Sequence, residues 1–139
     1  MMFKQRAHIG SLVDITKILI HEDLIERYRA ALYDRKEGEF HTLPPQALAT
    51  FGAHDKAFKL LGVKLRNVLH SREVLTLIQT PKLNDEIEVL TFISDVYEQH
   101  ASETPMGFVV VETVGRKKSS FLFSCARTSA IRGGFPRST

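Results

Sequence analysis

From residue 66 onward the apolar side chains change period, and that change constrains this chain more than any other feature of it. Upstream they recur every three to four residues; downstream they alternate with polar ones in four blocks, at 68–79, 86–98, 107–115 and 119–131. Alternation with a period of two places successive side chains on opposite faces, so half of the chain is committed to β-strands. Pro81 and Asn84-Asp85 mark the first turn, the stretch from Gln99 to Pro105 the second, and Gly115-Arg116-Lys117-Lys118 the third. Connections this short favour a meander in which strands adjacent in sequence pair with one another. In the last block Phe121, Phe123 and Cys125 alternate with Leu122, Ser124 and Ala126, and the second set runs on as Thr128 and Ala130. A face of small side chains admits a bulky element, and a long helix is predicted to lie there. Arg127 falls on the opposite face, where a charge needs an ionic partner, a rim position or a ligand phosphate.

The upstream half supplies the helix. Residues 12–20, LVDITKILI, are rich in β-branched side chains and read as a strand or extended lead-in. A helix is expected over 22–33, with Glu22 and Asp23 in its first turn, where the helix dipole favours acids. Ile20 and Ile25 are spaced as a hydrophobic staple around a cap at His21, and Leu24, Tyr28 and Leu32 form one apolar face. A polar loop, 34–43, leads to Pro44-Pro45, which opens a second helix predicted to run from 45 to 61 and to end at Gly62. Ala47, Leu48, Phe51, Phe58 and Leu61 share a face of it, with His54 in the middle, Asp55 on the flank, and Lys56 and Lys59 pointing away. An imidazole in such a stripe must be hydrogen-bonded or border a cavity. The order of elements is an α+β architecture in which a long helix lies on a curved antiparallel sheet.

Composition narrows the class. The 139 residues are 43% hydrophobic and 25% charged, which fits one globular domain and excludes disorder. One cysteine, Cys125, excludes a disulfide framework and a cysteine-based zinc site. Nineteen Lys and Arg against 16 Asp and Glu give +3, with the basic residues scattered, which suits an anionic small ligand better than nucleic acid. No segment approaches the roughly 20 apolar residues of a membrane span, and MMFKQRAHIG lacks the apolar core of a signal peptide. A soluble, cytoplasmic protein is expected.

Four segments carry a resemblance. "IHEDLIERYRAALYD", "LPPQALATFG", "VLHSREVLTLIQTPKLNDEIEVLTFISDVYEQ" and "MGFVVVETVGRKKSSFLFSCARTSAIR" are similar, in this order and spacing, to the first helix, the entrance to the hotdog helix, the following strand pair and the closing hairpin of the MaoC-like hotdog superfamily. The chain looks closest to the N-terminal MaoC-like, fatty-acid-synthase-like dehydratase domain. The likeness runs from about Val13 to Arg132, so residues 1–139 are expected to form a single hotdog domain with its core at about 13–132.

What the resemblance implies is an acyl-thioester site. The superfamily includes (R)-specific enoyl-CoA hydratases and 3-hydroxyacyl-ACP dehydratases, lyases of fatty acid metabolism that use no metal or redox cofactor. Their hotdog units work in pairs, with the acyl chain between them. Catalytic members carry Asp, any residue, Asn, Pro, any residue, His before the hotdog helix, one group activating water and the other protonating the α carbon. This chain has Asp34-Arg-Lys-Glu-Gly-Glu-Phe-His41 there: the spacing is longer and Asn-Pro is absent. Candidate acid and base groups are therefore Asp34, His41 and, on the helix, His54. Pro45, Phe51, Asp55 and His70 are the expected neighbours of the acyl group; His70 stands where the family has a histidine before its first long strand. Arg116, Lys117 and Lys118 form a basic turn that either docks phosphates or an acidic carrier protein, or is a solvated hairpin tip.

The implied function is an (R)-specific enoyl-CoA hydratase or 3-hydroxyacyl dehydratase type of protein that binds acyl-CoA or acyl-ACP. It would act either as a complete enzyme or as the non-catalytic subunit of a hotdog pair, and its partner would be a second hotdog chain, identical or different. Two alternatives stay open: a hotdog acyl-CoA thioesterase using His54 and Asp55, and a non-catalytic acyl-CoA binding or sensing module.

Overall fold

The computed structural model describes residues 3–31, 43–100 and 103–137. One five-stranded antiparallel sheet dominates it, built from β1 (Leu12–Leu19), β2 (Val68–Leu77), β3 (Glu86–Gln99), β4 (Met106–Lys117) and β5 (Ser120–Arg132), in the order β1-β3-β4-β5-β2. Each neighbouring pair carries one register shift, the places where a sheet bends. Three short helices, α1 (Glu22–Ala31), α2 (Pro45–Leu48) and α3 (His54–Leu60), complete an arrangement consistent with a hotdog fold. Among the described residues no helix is long and apolar enough to cross a membrane.

The four expected strands form, with ends within a few residues of those read from the pattern, and the stretch left as a strand or extended lead-in is strand β1. The meander does not. β3, β4 and β5 pair in sequence, but β2 crosses to the far side and pairs with β5. Residues 78–85 are thus a crossover and not a hairpin. Pro81, Asn84 and Asp85 shape it: Asn84 has φ +71°, and its N–H donates to the Ile20 carbonyl at 2.7 Å. β2 therefore lies at an edge of the sheet, as β1 does at the other.

The single helix expected over 45–61 is broken into α2 and α3. Thr50 starts the break by donating its hydroxyl back to the Ala47 carbonyl at 2.7 Å, a local bond that competes with helix propagation. The Ala53 N–H then donates to Thr91 Oγ1 at 3.0 Å instead of to the Ala49 carbonyl one turn back. Between them Gly52 lies so close to the sheet that a Cβ there would overlap Thr113 Oγ1. The apolar stripe survives the break, since Ala47, Leu48, Phe58 and Leu61 are all buried.

The helices also cover the other face of β5 from the one expected. Phe123 packs with Leu48 and Ile25, and Ile131 with Ala57, Phe58 and Leu61, while Ser124, Ala126 and Thr128 face outward. Side-chain volume decides this. The ring of Phe123 fills the space over Gly115, where a Cβ would overlap it. The register slips between Arg116↔Phe121 and Gly115↔Phe123, so Leu122 is an extra residue and Phe121 drops out of the alternation to 43% exposure.

Other local signals hold. The His21 ring accepts the Leu24 N–H at 3.2 Å as an N-terminal cap, with Ile20 and Ile25 buried beside it. At the lower end of the sheet the early turn 4–8 meets the tail: Phe3 stacks on Phe135 at 5.1 Å, Gln5 Nε2 donates to the Pro136 carbonyl, and Glu98 accepts the Phe135 N–H and pairs with Arg137.

Gly62 closes α3 at φ +71°, with its N–H on the Lys59 carbonyl and that of Val63 on the Phe58 carbonyl, the two bonds of a Schellman motif. No atom stands within 4 Å of a Cβ placed there, so a substitution meets only backbone strain. Gly62→Ala is expected to lower stability by about 1 kcal/mol and Gly62→Asn by less, read as shifts in the urea midpoint at constant slope.

Candidate functional site

Under the helix break the sheet carries polar residues where its neighbours are apolar. Thr91, Thr113 and Cys125 form one rung across β3, β4 and β5, and all three are buried. Thr91 is satisfied by Ala53. Thr113 Oγ1 has no hydrogen-bond partner among the described residues.

His54, the first residue of α3, comes down over this rung and is 8% exposed. Its Nε2 is also buried without a partner among the described residues. Burial, and then the nearby Arg127 charge, lower the imidazole pKa below its ordinary 6.5, although a backbone hydrogen bond at Gly52 and the carboxylates of Glu73 and Asp55 act the other way. At neutral pH His54 is thus an uncharged imidazole. Burial and the Glu73 carboxylate push the Cys125 thiol up to about 11, so it stays protonated, an inert buried side chain and not a nucleophile.

Arg127 and Glu73 are the other half of the site. They stand opposite one another on β5 and β2, and Arg127 Nε donates to Glu73 Oε1 at 2.7 Å. Arg127 Nη2 donates to the Ala49 carbonyl at 3.2 Å, the carbonyl left free by the broken helix. The ion pair is half-exposed at the mouth of an open groove of about 280 Å³, lined by Pro45, Gln46, Ala49, Glu73 and Leu75. The groove runs between the first turn of α2 and edge strand β2. Its walls are apolar apart from Gln46 and the Glu73 carboxylate, so it suits an apolar group carrying a polar end.

The expected site residues separate into groups. Pro45 lines the groove and His54 lies beneath the break beside Arg127. Phe51 stands edge-on between the Tyr28 and Phe123 rings, with centroids 6.3 and 6.5 Å away, and packs the helical layer onto the sheet. Asp55 is exposed. The backbone of His70 is in β2, opposite Ser129. Asp34 and His41 lie outside the described residues. The basic turn is largely neutralised: Arg116 pairs with Glu88, and Lys117 Nζ with Asp85 at 2.7 Å.

Glu73, Gln46, Leu75 and Thr113 were not singled out in the sequence. Arg127 signalled a missing partner, but Glu73 emerges as that partner only once β2 pairs with β5. Thr91 and Thr113 carry a weaker signal, two hydroxyls at inward positions of otherwise apolar strands.

Solved structures share the fold. This chain superposes on a chain of the ChsH1-ChsH2 complex from Mycobacterium tuberculosis with a TM-score of 0.68 at 11% identity, over 98% of this chain and 90% of that one. For C-terminally truncated HadBC, a 3R-hydroxyacyl-ACP dehydratase complex from the same organism, the TM-score is 0.62 at 10% identity, over 84% and 94%. For the "Probable Thioesterase" of Bartonella henselae it is 0.56 at 8% identity, over 93% and 100%. These are hotdog-fold proteins, and at such identities the likeness is one of fold. No protein-family model matches the sequence, and no curated protein sequence does.

The lowered pKa of His54 has a sign that can be tested. Between its ordinary value of 6.5 and its lower folded value, the unfolded chain binds the proton and the folded chain does not. Folding stability therefore falls as pH drops through that window. Urea denaturation from pH 7.5 to 5 is expected to show this fall in the natural chain and a flatter profile in His54→Gln.

Proposed function

We propose that this chain is an acyl-thioester-binding unit of the MaoC-like hotdog type, with a core at about 13–132, acting on 2-enoyl or 3-hydroxyacyl groups carried on CoA or ACP. It works beside a second hotdog chain and supplies the acyl-binding half of a shared site. The observation that carries this reading is the position of the groove. Its far wall is edge strand β2, which pairs on one side only among the described residues and whose Leu69, Val74 and Leu77 are exposed. An open edge of this length is a template for pairing with another chain, and a partner seated along β2 would roof the groove over Glu73 and Leu75. The fold shared with two complexes, one of them a dehydratase, points the same way.

The chemistry available to the site is modest. The neutral His54 imidazole and the Glu73 carboxylate are the proton-transfer groups near the groove, and Glu73 is held by Arg127. Together they can polarise a thioester or order a water, which fits a binding half better than a complete acid–base pair. Thioester hydrolysis is the second reading, favoured by one carboxylate standing at the mouth of an apolar groove, and it moves the water-activating role from Asp55, which is exposed, to Glu73.

The test uses the purified chain and a medium-chain trans-2-enoyl-CoA, following the conjugated-thioester absorbance with a thiol reagent present. The expected result is neither absorbance loss nor thiol release from the chain alone, with thermal stabilisation by the ligand. At 100 times Kd that stabilisation is about 2.7 kcal/mol, and Leu75→Arg should abolish it without unfolding the chain. Hydration by the chain alone would make it a complete enzyme, and thiol release would make it a thioesterase. No stabilisation by any acyl-CoA would sink the acyl-thioester reading altogether.

A further inference from the structure

Basic residues that are scattered along the sequence gather at one end of the fold. Residues 3–13 and 56–67 hold six of the chain's 19 Lys and Arg and none of its 16 Asp and Glu, so this end is positive while the remainder is acidic on balance. Of the six, Lys56 has an acidic partner among the described residues, Asp14, and Arg6 is spent on the Val96 carbonyl at 2.7 Å. Where the two segments meet, the early turn 4–8 and the last turn of α3 border an open cleft of about 280 Å³. Lys4, Gln5, His8, Lys59, Leu60 and Pro136 line it, and none of its lining residues is acidic.

Gln5 is the most buried of these six, at 2% exposure. Its Nε2 donates to the Pro136 carbonyl at 2.8 Å. A carbonyl can only accept, so this bond fixes which way the amide is turned and leaves Oε1 as an acceptor. Oε1 is buried and finds no donor among the described residues, and a stranded acceptor costs the fold more than a made hydrogen bond returns.

The inner part of the cleft therefore calls for a hydrogen-bond donor. The last turn of α3 reinforces the demand, because its backbone carbonyls are the negative end of a short dipole. The rim calls for the opposite. Lys4 and Lys59 are exposed there, His8 is half-buried beside them, and neither lysine has an ionic partner among the described residues. A simple anion satisfies the rim alone, and a neutral polyol satisfies the inner part alone.

We propose that this cleft binds a small polyol phosphate, with the phosphate held by Lys4, Lys59 and the His8 imidazole at the rim and a hydroxyl donating to Gln5 Oε1. Leu60 and Pro136 lie against its carbons. A free phosphate ester and the headgroup of a glycerophospholipid offer the same chemistry, and the test separates these sources. The cleft shares no lining residue with the groove between α2 and β2, so the site stands apart from the acyl-thioester reading.

The experiment is isothermal titration calorimetry on the full chain with glycerol 3-phosphate, and with glycerol and sulfate at matched ionic strength as its two halves. Glycerol 3-phosphate should bind, and each half should bind weaker by about tenfold or more. Lys4→Glu combined with Lys59→Glu should lower the affinity for the ester by about as much; both positions are exposed, and circular dichroism verifies the fold. Gln5→Leu should leave sulfate binding in place and erase the preference for the ester. If that variant fails to fold, the lysine pair carries the test. Co-sedimentation with vesicles of phosphatidylglycerol, and of phosphatidic acid, which lacks the headgroup glycerol, identifies the source. Capture by phosphatidylglycerol over phosphatidic acid, lost in the lysine pair and without binding of the soluble ester, assigns the lipid headgroup. Equal affinity for sulfate and the ester would mean an adventitious ion only and overturn the proposal. So would binding indifferent to the lysine reversals, equal capture by the two vesicles without binding of the ester, or no binding of ester or vesicle at all.

Discussion

One backbone hydrogen bond that is not made organises the helical layer. In a continuous helix the Ala53 N–H would bond to the Ala49 carbonyl. Here the donor goes to Thr91 on β3 and the acceptor to Arg127 on β5. One intrahelical bond is exchanged for two bonds to the sheet, so neither group is buried unpaired, and each half of the exchange fixes a different strand to the break. The rest follows. Gly52 is drawn onto Thr113, His54 is brought down over the polar rung, and α2 is left as a short piece whose end is tied through Arg127 to Glu73. A net bond energy of about 1 kcal/mol is small, but stranding a buried donor or acceptor costs more, and that asymmetry keeps the break in one place.

How much of this could be read beforehand depended on range. Signals within a few residues were legible: the alternation that set four strands, the β-branched run that became β1, the Ile20–His21–Ile25 cap and the glycine that closes α3. The failures were all long-range or volumetric. Thr50 and Gly52 are weak helix formers, yet the apolar stripe through them is intact, and only the hydroxyl of Thr91, 38 positions on, makes the break favourable. The face chosen by β5 turned on the vacancy at Gly115, which becomes visible once the register between β4 and β5 is known. Half of the site was legible for the same reason: Pro45, His54 and Arg127 announced themselves locally, whereas Glu73 belongs to a pairing the turn signals argued against.

The ion pairs of this chain fall into two kinds. Around the rim, Lys56 with Asp14, Lys117 with Asp85 and Arg137 with Glu98 bind element to element. In the groove, Glu73 and Arg127 are bound to each other and still half-exposed. A pair in that state is held rigidly enough to present a carboxylate in one orientation and is wet enough to exchange partners with a ligand. The buried groups nearby, a neutral imidazole and a protonated thiol, add no charge of their own, so a ligand entering the groove meets the field of a single dipole.

The crossover that carries β2 to the far edge also bears on how the chain is made. Glu73 and Arg127 are 54 positions apart, and at translation speeds of about 5–20 residues per second β2 emerges several seconds before the strand it pairs with. During that interval β2 waits with both of its edges unmatched, while β3 and β4 are free to zip together. A strand in that position is exposed to wrong partners on the ribosome for the whole of that interval, as β1 is for longer still, Ile15 pairing with Leu90. Native pairing closes one of its edges, and the other remains an open invitation in the finished molecule.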